Sequence, residues 1–577
     1  MGIAHRHLSS CSAASPRTLV PAPERAAATP NPWSHTFFPC GGETALRRTS
    51  ASPGDRATAV REGLVAAAVA CLRPEVGCAH PGSAVRNETI VSTTETISDA
   101  DLSEPSDPSG PRRTTARNSL YALAMRLHFY AGVFVGPFIL IAAVTGALYA
   151  ISPTLESVMS RDLLTATETG TPKPLSEQVG AAVATRPDLQ LVAVAPAAGA
   201  EDTTRVLFND PSLGESERRA VFVNPYTAQP VGDAVVYGSS GALPMRTWID
   251  RLHRDLHLGE PGRLYSELAA SWLWIVALAG LVIWVRRVRS RRARNGWGWL
   301  LAADRSQRAR GRTMNWHGAV GMWVLPLVLL LSATGMTWST YAGENITALR
   351  EQLSWTTPAV STALPGTVAS GHDSGSDHHG GGHAEHAPAD PADRIAQLDR
   401  VYATARAEGI TQAAEIAVPA APGKAFAVKE RRMPGTYTVD SVAVDGATGA
   451  ITDRLSYADW PLMAKLTNWG IQFHMGLMFG LLNQLLLLAA MIGLITVIVR
   501  GYLMWWRRRP TRDASRFALG RAPRRGALRK SSLWLVVPLV AAALVVGWFV
   551  PLVGLSLLVF LAIDVVIGLA GRMRAAA

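Results

Sequence analysis

The sequence predicts a mainly α-helical, polytopic membrane protein that consists of two parallel repeats and a C-terminal hairpin. Three observations support this fold class: six apolar runs, a pattern shared by two of them, and arginines concentrated beside the runs. Each run has roughly the 20 residues that an α-helix needs to cross the hydrocarbon core of a bilayer. A length of 577 residues and a slightly positive mean hydropathy also favour a membrane protein over one compact soluble domain. We therefore expect six transmembrane helices.

The first and third apolar runs carry the same pattern when they are aligned on His128 and His317. Both read H-x3-G-x4-P-x7-T-G. The other matched positions are Gly132 with Gly321, Pro137 with Pro326, and Thr145-Gly146 with Thr334-Gly335. Apolar composition alone does not produce these coincidences at fixed offsets, so they indicate an internal duplication.

The arginines predict the topology. They are dense in 286–312 and again from Arg507 onward, beside the ends of apolar runs. The positive-inside rule places these loops and both termini in the cytoplasm, and the long segments between the paired runs outside it. We expect a multi-pass protein of the cytoplasmic (inner) membrane that contacts the lipid bilayer. The net charge of +12 lies at the span ends and not on one amphipathic face, so we expect no nucleic-acid partner.

Each repeat is predicted to contain a span, an outer domain and a returning span. The elements expected for the first repeat are a disordered or misassigned N-terminal extension at 1–115, a span at 118–151, an extracytoplasmic domain at 152–260, a span at 265–285 and a basic loop at 286–313. Those expected for the second are a span at 315–340, a linker at 341–392, a domain at 393–460, a span at 470–504, a basic loop at 505–532 and the two-span hairpin at 533–571.

Both outer segments show a helix followed by strand-like runs. A helix from Leu175 to about Thr185 precedes LQLVAVAP, TRVLFN and RAVFVNPYTAQPVG. A helix from Asp393 to about Glu408 precedes AAEIAV, KAFAVKE and TYTVDSVAVDGATGAITD. The duplication is therefore expected to include these α+β domains.

The linker contains a His-rich segment, GHDSGSDHHGGGHAEH. Its imidazoles belong to His372, His378, His379, His383 and His386. Imidazole and carboxylate groups suit weakly bound Cu, Fe or Zn, and the alternative is a solvated, flexible linker with only adventitious metal affinity.

Histidines near the span ends are the candidate cofactor ligands. His128 and His317 begin outward-going helices and should lie at one depth, whereas His474 and either His257 or His253 precede inward-going helices and should lie at another. Two facing imidazoles can ligate both faces of a b-type haem, so two such pairs predict two haems. All four cysteines precede residue 90, so any haem would be held non-covalently. Gly132 and Gly321 would leave room for the macrocycle, and Arg126 and the loop arginines could pair with its propionates.

The sequence resembles the PepSY-associated transmembrane family, also called iron-regulated membrane proteins. The resemblance rests on RLHFYAGVFVGPF, LHRDLHLGEPGR, NWHGAVGMW, FHMGLMFGLLNQ and WWRRR, and it covers about 118–510. It implies PepSY-like outer domains, a role in iron uptake and, for some members, haem-dependent reduction of ferric siderophores outside the membrane. The chain shows no G-x-G-x-x-G after a strand, so the cytoplasmic electron donor would be a separate protein.

Two functions remain open from the sequence. The first is a di-haem electron-transfer protein, and thus a ferric-chelate oxidoreductase, that passes electrons from a cytoplasmic donor to an extracytoplasmic ferric chelate or other metal. The alternative is a membrane-anchored PepSY protein that binds or regulates a peptidase without redox activity. Duplicated intramembrane histidines favour the first, because a simple anchor does not need them.

Overall fold

The structure is a computed structural model that describes residues 116–291, 300–303, 306, 308–364, 390–507 and 532–576. The helices are α1 (Ala116–Phe134), α2 (Gly136–Met159), α3 (Arg161–Leu164), α4 (Leu175–Thr185), α5 (Pro244–Asp255), α6 (Glu260–Arg291), α7 (Ala309–Met336), α8 (Tyr341–Gln352), α9 (Pro391–Ala407), α10 (Leu462–His474), α11 (Leu481–Trp506), α12 (Leu533–Phe549) and α13 (Pro551–Ala576). The strands are β1 (Gln190–Ala195), β2 (Thr204–Asn209), β3 (Glu217–Val223), β4 (Pro230–Tyr237), β5 (Ala414–Ala417), β6 (Phe426–Glu430), β7 (Ser441–Val444) and β8 (Ile451–Leu455). The predicted extension at 1–115, the His-rich segment and most of the loop at 505–532 lie outside the described residues.

Five helices among the described residues are long and apolar enough to cross a membrane, so the chain is a membrane protein. They are Gly136–Met159, Glu260–Ser290, Ala309–Met336, Leu481–Trp506 and Pro551–Met573. The remaining predicted span forms α12, an apolar helix of only 17 residues. At about 1.5 Å per residue it is roughly 26 Å long, somewhat less than the hydrocarbon thickness. It ends before Pro551, where α13 begins.

The first predicted span, 118–151, is divided into α1 and α2, which meet at Val135. Pro137 has no N–H to donate to the carbonyl of Val133, which a continuous helix would require. The hydroxyl of Tyr502, on α11, donates to that carbonyl instead, at 2.8 Å. A side chain at Gly136 would collide with the same hydroxyl, because its Cβ would lie 2.8 Å from Oη. Helix α11 therefore supplies the hydrogen-bond donor that Pro137 cannot provide.

The strands form one antiparallel sheet in the order β4-β3-β2-β1-β5-β6-β7-β8. The predicted strands and the helices that precede them are confirmed, but the two α+β segments are not separate in space. Strands β1 and β5 pair through Ala193 with Ala417 and Val194 with Ile416, which joins two four-stranded halves. This pairing removes two sheet edges that would otherwise be unpaired.

Helices α4 and α9 cover one face of the sheet. Leu398 and Val401 of α9 and Val179 of α4 are fully buried against the strands, together with Phe208 and Phe426. The sheet lies in the chain between α2 and α6 and again between α7 and α11. We therefore call the C-terminal ends of α2 and α7 and the N-terminal ends of α6 and α11 the sheet side. The opposite ends of these helices are called the far side.

Candidate functional site

His128 on α1 and His317 on α7 face each other. Their ring centroids are 6.0 Å apart and the ring planes are inclined at 82°. Two metal–imidazole bonds of about 2 Å each would account for most of this separation. We call these two residues the far-side pair, because His317 lies near the far-side start of α7. The spacing fits a metal ion bound between two imidazole nitrogens.

Backbone carbonyls orient both rings of the far-side pair. Nδ1 of His128 lies 2.9 Å from the carbonyl oxygen of Val276 on α6, and Nδ1 of His317 lies 2.8 Å from that of Val497 on α11. A carbonyl oxygen only accepts, so Nδ1 of each ring carries the proton and donates it. The lone pair of each neutral imidazole is therefore on Nε2, where a metal can bind.

Glycines allow the two rings to approach α6 and α11. A Cβ at Gly280 would lie 2.9 Å from Cε1 of His128, and one at Gly501 would lie 3.6 Å from Cε1 of His317. Each glycine is four residues after the residue whose carbonyl accepts the hydrogen bond, so the carbonyl and the glycine share one helix face. Each ring therefore contacts one carbonyl and one glycine with the same spacing, on α6 for His128 and on α11 for His317.

His253 on α5 and His474 on α10 lie within electrostatic range of each other, and we call them the sheet-side pair. Nδ1 of His253 lies 3.0 Å from Oγ1 of Thr145, and Nδ1 of His474 lies 2.7 Å from Oγ1 of Thr334. Each threonine hydroxyl is also within donating distance of a carbonyl one turn earlier in its own helix, at 3.0 Å and 2.8 Å. The hydroxyl proton goes to that carbonyl, so the oxygen accepts from Nδ1–H and Nε2 again keeps its lone pair.

The Thr-Gly repeat of the sequence therefore has a structural role in the sheet-side pair. A Cβ at Gly146 would lie 3.1 Å from Cε1 of His253, and one at Gly335 would lie 3.6 Å from Cε1 of His474. Each threonine binds a ring and the following glycine provides space for it. The sequence showed both dipeptides but did not connect them with histidines more than one hundred residues away.

The histidines of the sheet-side pair are neutral at physiological pH. They lie in α5 and α10, outside the candidate spans. Desolvation by the surrounding helices lowers the pKa of His253 to about 4. The same cause, with a contribution from the charge of His253, lowers the pKa of His474 to about 3. Neutral imidazole is the form that binds a metal.

His253 and His257, between which the sequence left the choice open, differ in their surroundings. His257 is exposed, its φ is 56°, and its ring contacts Trp248 with a centroid distance of 5.0 Å. It does not share the threonine and glycine environment of His474. The H-x-G motif aligns His257 with His474, whereas the threonine and glycine contacts align His253 with His474.

The glycines one turn after His128 and His317 adjoin open space. A Cβ at Gly132 would meet no atom within 4 Å, and the nearest atom to one at Gly321 would be Cγ2 of Val497, at 4.0 Å. The rings of the far-side pair are themselves only half-buried. No described side chain therefore fills the space beside Gly132, and the space beside Gly321 is limited only by Val497.

Charged side chains lie near both pairs. Arg126, expected to pair with a haem propionate, forms an ion pair with Asp564 of α13, at 3.0 Å. Arg500 lies within electrostatic range of His317. On the sheet side, Arg246 lies over the ring of Tyr149, which stacks on His253 with a centroid distance of 6.2 Å. Neither Arg246 nor Arg500 lies in a sequence pattern that predicts such a role.

Arg246 is the most buried of these cations, with 4% of its surface exposed. Its Nη1 lies 3.6 Å from a carboxylate oxygen of Glu156. Its Nε and Nη2 are shielded from solvent and have no hydrogen-bond partner in the part of the chain that the structure describes. Buried N–H groups are normally satisfied, so these two can receive the oxygens of a bound group.

The histidines of the His-rich segment lie outside the described residues. Within the described ranges, no group of three or more His, Cys, Asp or Glu side chains is placed to hold a metal ion. The histidine pairs are thus the ligand sets that the structure presents.

Comparison with known proteins gives the family of the chain. No curated protein matches it. The family model described as the PepSY-associated TM region matches residues 125–508, which is about two thirds of the chain and contains α2, α6, α7, α11 and both histidine pairs. The chain therefore belongs to the PepSY-associated TM region family.

Proposed function

We propose that this protein is an integral membrane b-type di-haem protein that transfers electrons from a separate cytoplasmic donor to an extracytoplasmic ferric chelate or other metal acceptor, with a role in iron uptake. The observation that carries this proposal is the repeated construction of the histidine pairs. In both, Nδ1–H donates to an oxygen, a glycine allows the close approach of the ring, and Nε2 is left to bind a metal.

His128 and His317 would hold one haem and His253 and His474 the other. When bound, haem supplies a reversible one-electron couple, while the protein sets its position and potential. Helices α6 and α11 fix the orientation of the far-side rings through carbonyls, and Thr145 and Thr334 fix those of the sheet-side rings. Such outer hydrogen bonds fix the tautomer and raise ligand basicity.

The electrostatic surroundings also suit a carboxylate-bearing cofactor. Arg246 would hold a carboxylate on the sheet side, because its Nε and Nη2 have no hydrogen-bond partner among the described residues. Arg126 is less suited to this role on the far side, since it pairs with Asp564. An anionic cofactor beside Arg246 would offset the cost of a buried, partly paired guanidinium.

The proposed topology has six spans, with α12 as the sixth, and a duplicated unit of span, outer α+β domain and returning span. Arginine density supports far-side loops and both termini in the cytoplasm of an inner-membrane protein. The sheet would then lie outside, with PepSY-like domains contributed by both halves. This arrangement puts the far-side pair towards the donor and the sheet-side pair towards the acceptor.

The test is the haem content of the purified full-length protein, expressed with ample haem. We expect two b-type haems in each chain of the unmodified protein and one in His317→Ala. His257→Ala is the matched control, because it removes an exposed imidazole from the same chain, and it should retain both. A colourless protein that nevertheless binds a peptide or peptidase would instead support the membrane-anchored regulatory function.

A further inference from the structure

A basic pocket lies between the first turns of α7 and the last turns of α11. Its volume is about 580 Å³, and its lining includes Arg310, Arg312, Thr313, Trp316, Arg500 and Arg507. Ligand pockets typically measure about 300–1,000 Å³. The size suits an organic group and greatly exceeds what a single inorganic phosphate needs.

Among the described residues, the charges that line the pocket are all positive: four guanidinium groups and no carboxylate. Nη1 of Arg507 lies 3.4 Å from Oγ1 of Thr313, and the guanidinium of Arg500 lies 5.7 Å from the ring centre of Trp316. Like charges gathered around a cavity raise the free energy of the protein unless an anion neutralises them. The pocket is therefore suited to an anion.

Arg500 provides a second indication of a ligand. Its Nε is shielded from solvent and has no hydrogen-bond partner among the described residues. A buried N–H without a partner costs about 1–3 kcal/mol. An anionic oxygen in the pocket would satisfy it, and guanidinium groups match phosphate oxygens through paired N–H donors.

The position of the pocket favours a membrane lipid as the source of the anion. Both walls belong to candidate spans, at the ends where α7 begins and α11 ends. Arg500 and Arg507 are seven residues apart, or about 10 Å along the helix axis, so the positive charge extends from the end of the span into its apolar part. Basic pockets between transmembrane helices on the cytoplasmic side bind anionic head groups.

We propose that this pocket binds the phosphate of an anionic phospholipid at the far side of the membrane. Trp316 would pack against the glycerol region, since indole rings favour the head-group boundary. The site adjoins His317 but goes beyond the proposed electron transfer, because it requires neither haem nor a redox partner. A bound lipid would link α7, which carries His317, to α11, whose Val497 carbonyl accepts a hydrogen bond from that histidine.

The experiment is native mass spectrometry of the full-length protein in detergent, titrated with phosphatidylglycerol and, separately, with zwitterionic phosphatidylcholine. We expect preferential binding of phosphatidylglycerol. The double variant Arg310→Gln/Arg312→Gln should bind it about tenfold more weakly or worse, because each basic residue near the surface contributes substantially to anionic-lipid affinity. Arg507→Gln, on the other helix, should weaken it in the same direction. Arg161→Gln/Arg186→Gln removes the same charge elsewhere and should bind like the unmodified protein.

Three results would overturn the proposal. The first is equal phosphatidylglycerol affinity in the pocket variants and the charge control. The second is complete displacement of the lipid by millimolar inorganic phosphate, which would assign the pocket to a soluble phosphate. The third is loss of a haem, without loss of lipid, in Arg310→Gln/Arg312→Gln, which would assign the pocket to haem propionates. Only the third concerns haem, so failure here is distinguishable from failure of the proposed function.

Discussion

The two histidine pairs have the same task in the proposed function but differ in what holds them. The far-side rings donate to main-chain carbonyls of Val276 and Val497, which any residue at those positions would supply. The sheet-side rings donate to the hydroxyls of Thr145 and Thr334, which substitution can remove. The far-side pair is therefore oriented by the helix backbone and the sheet-side pair by two side chains. Substitutions that remove side-chain oxygens should affect only the sheet-side pair.

The largest expected effect is the difference in haem content between variants of His253 and His257. His253→Ala should remove one haem of two, because it deletes an imidazole that would hold that haem, whereas His257→Ala should remove none. Haem per polypeptide in the purified variants measures this difference. Equal haem loss in both, or loss only in His257→Ala, would show that the sheet-side pair is wrongly assigned.

Removal of the threonine hydroxyls should affect only the sheet-side pair. Thr145→Val and Thr334→Val keep the shape of the side chain but remove the oxygen that accepts from Nδ1–H. Loss of an outer hydrogen bond to a metal ligand typically weakens metal affinity by about 10–100-fold. Haem titration of the apoprotein should show one weakened site and one unchanged site. Weakening of both sites to the same degree would contradict independent pairs.

Substitution of the two glycines next to the far-side pair should have different effects on haem binding. Gly280→Ala would place Cβ 2.9 Å from the ring of His128, so the ring must move, whereas Gly501→Ala would place it 3.6 Å from the ring of His317. Overpacking of this kind costs about 1–3 kcal/mol. We expect weaker far-side haem binding in Gly280→Ala and nearly unchanged binding in Gly501→Ala. The reverse order in a haem titration would be incompatible with this geometry.

The smallest expected effect concerns the ion pair that joins α1 to α13. Asp564→Asn keeps the volume of the side chain and removes the charge that Arg126 contacts at 3.0 Å. The groups are partly exposed, so we expect a loss of about 1 kcal/mol or less. Thermal unfolding in detergent should show a drop of about 1 °C or less, because the unfolding entropy of so long a chain is large, with the sheet-side haem retained. Selective loss of that haem would indicate coupling between the pairs that the contacts do not predict.

Local patterns in the sequence predicted the elements well, because helix and strand periodicities depend on near neighbours. The helix Leu175–Thr185 is confirmed at both ends. The division of the first span at Val135 was missed, because it depends on Pro137 together with a hydroxyl from α11. The pairing of β1 with β5 was missed too, since pairing between sheet edges distant in sequence leaves no periodic signal.

For the candidate site, the sequence showed the histidines but not their surroundings. No sequence motif can identify the carbonyls of Val276 and Val497 as hydrogen-bond acceptors, because every residue has a backbone carbonyl. Gly280 and Gly501 lie in apolar helices where a glycine alone predicts only close packing. The choice of His253 required the position of Thr145, and that position depends on how α5 packs against α2.

The most direct test of the central claim is the absorbance spectrum of the purified full-length protein, oxidised and then reduced with dithionite, with haem quantified per polypeptide. We predict a Soret band, sharp α and β bands on reduction, and two non-covalent haems per chain. A protein that stays colourless after expression with ample haem would contradict the account, as would one that retains both haems when His128 and His317 are replaced together by alanine.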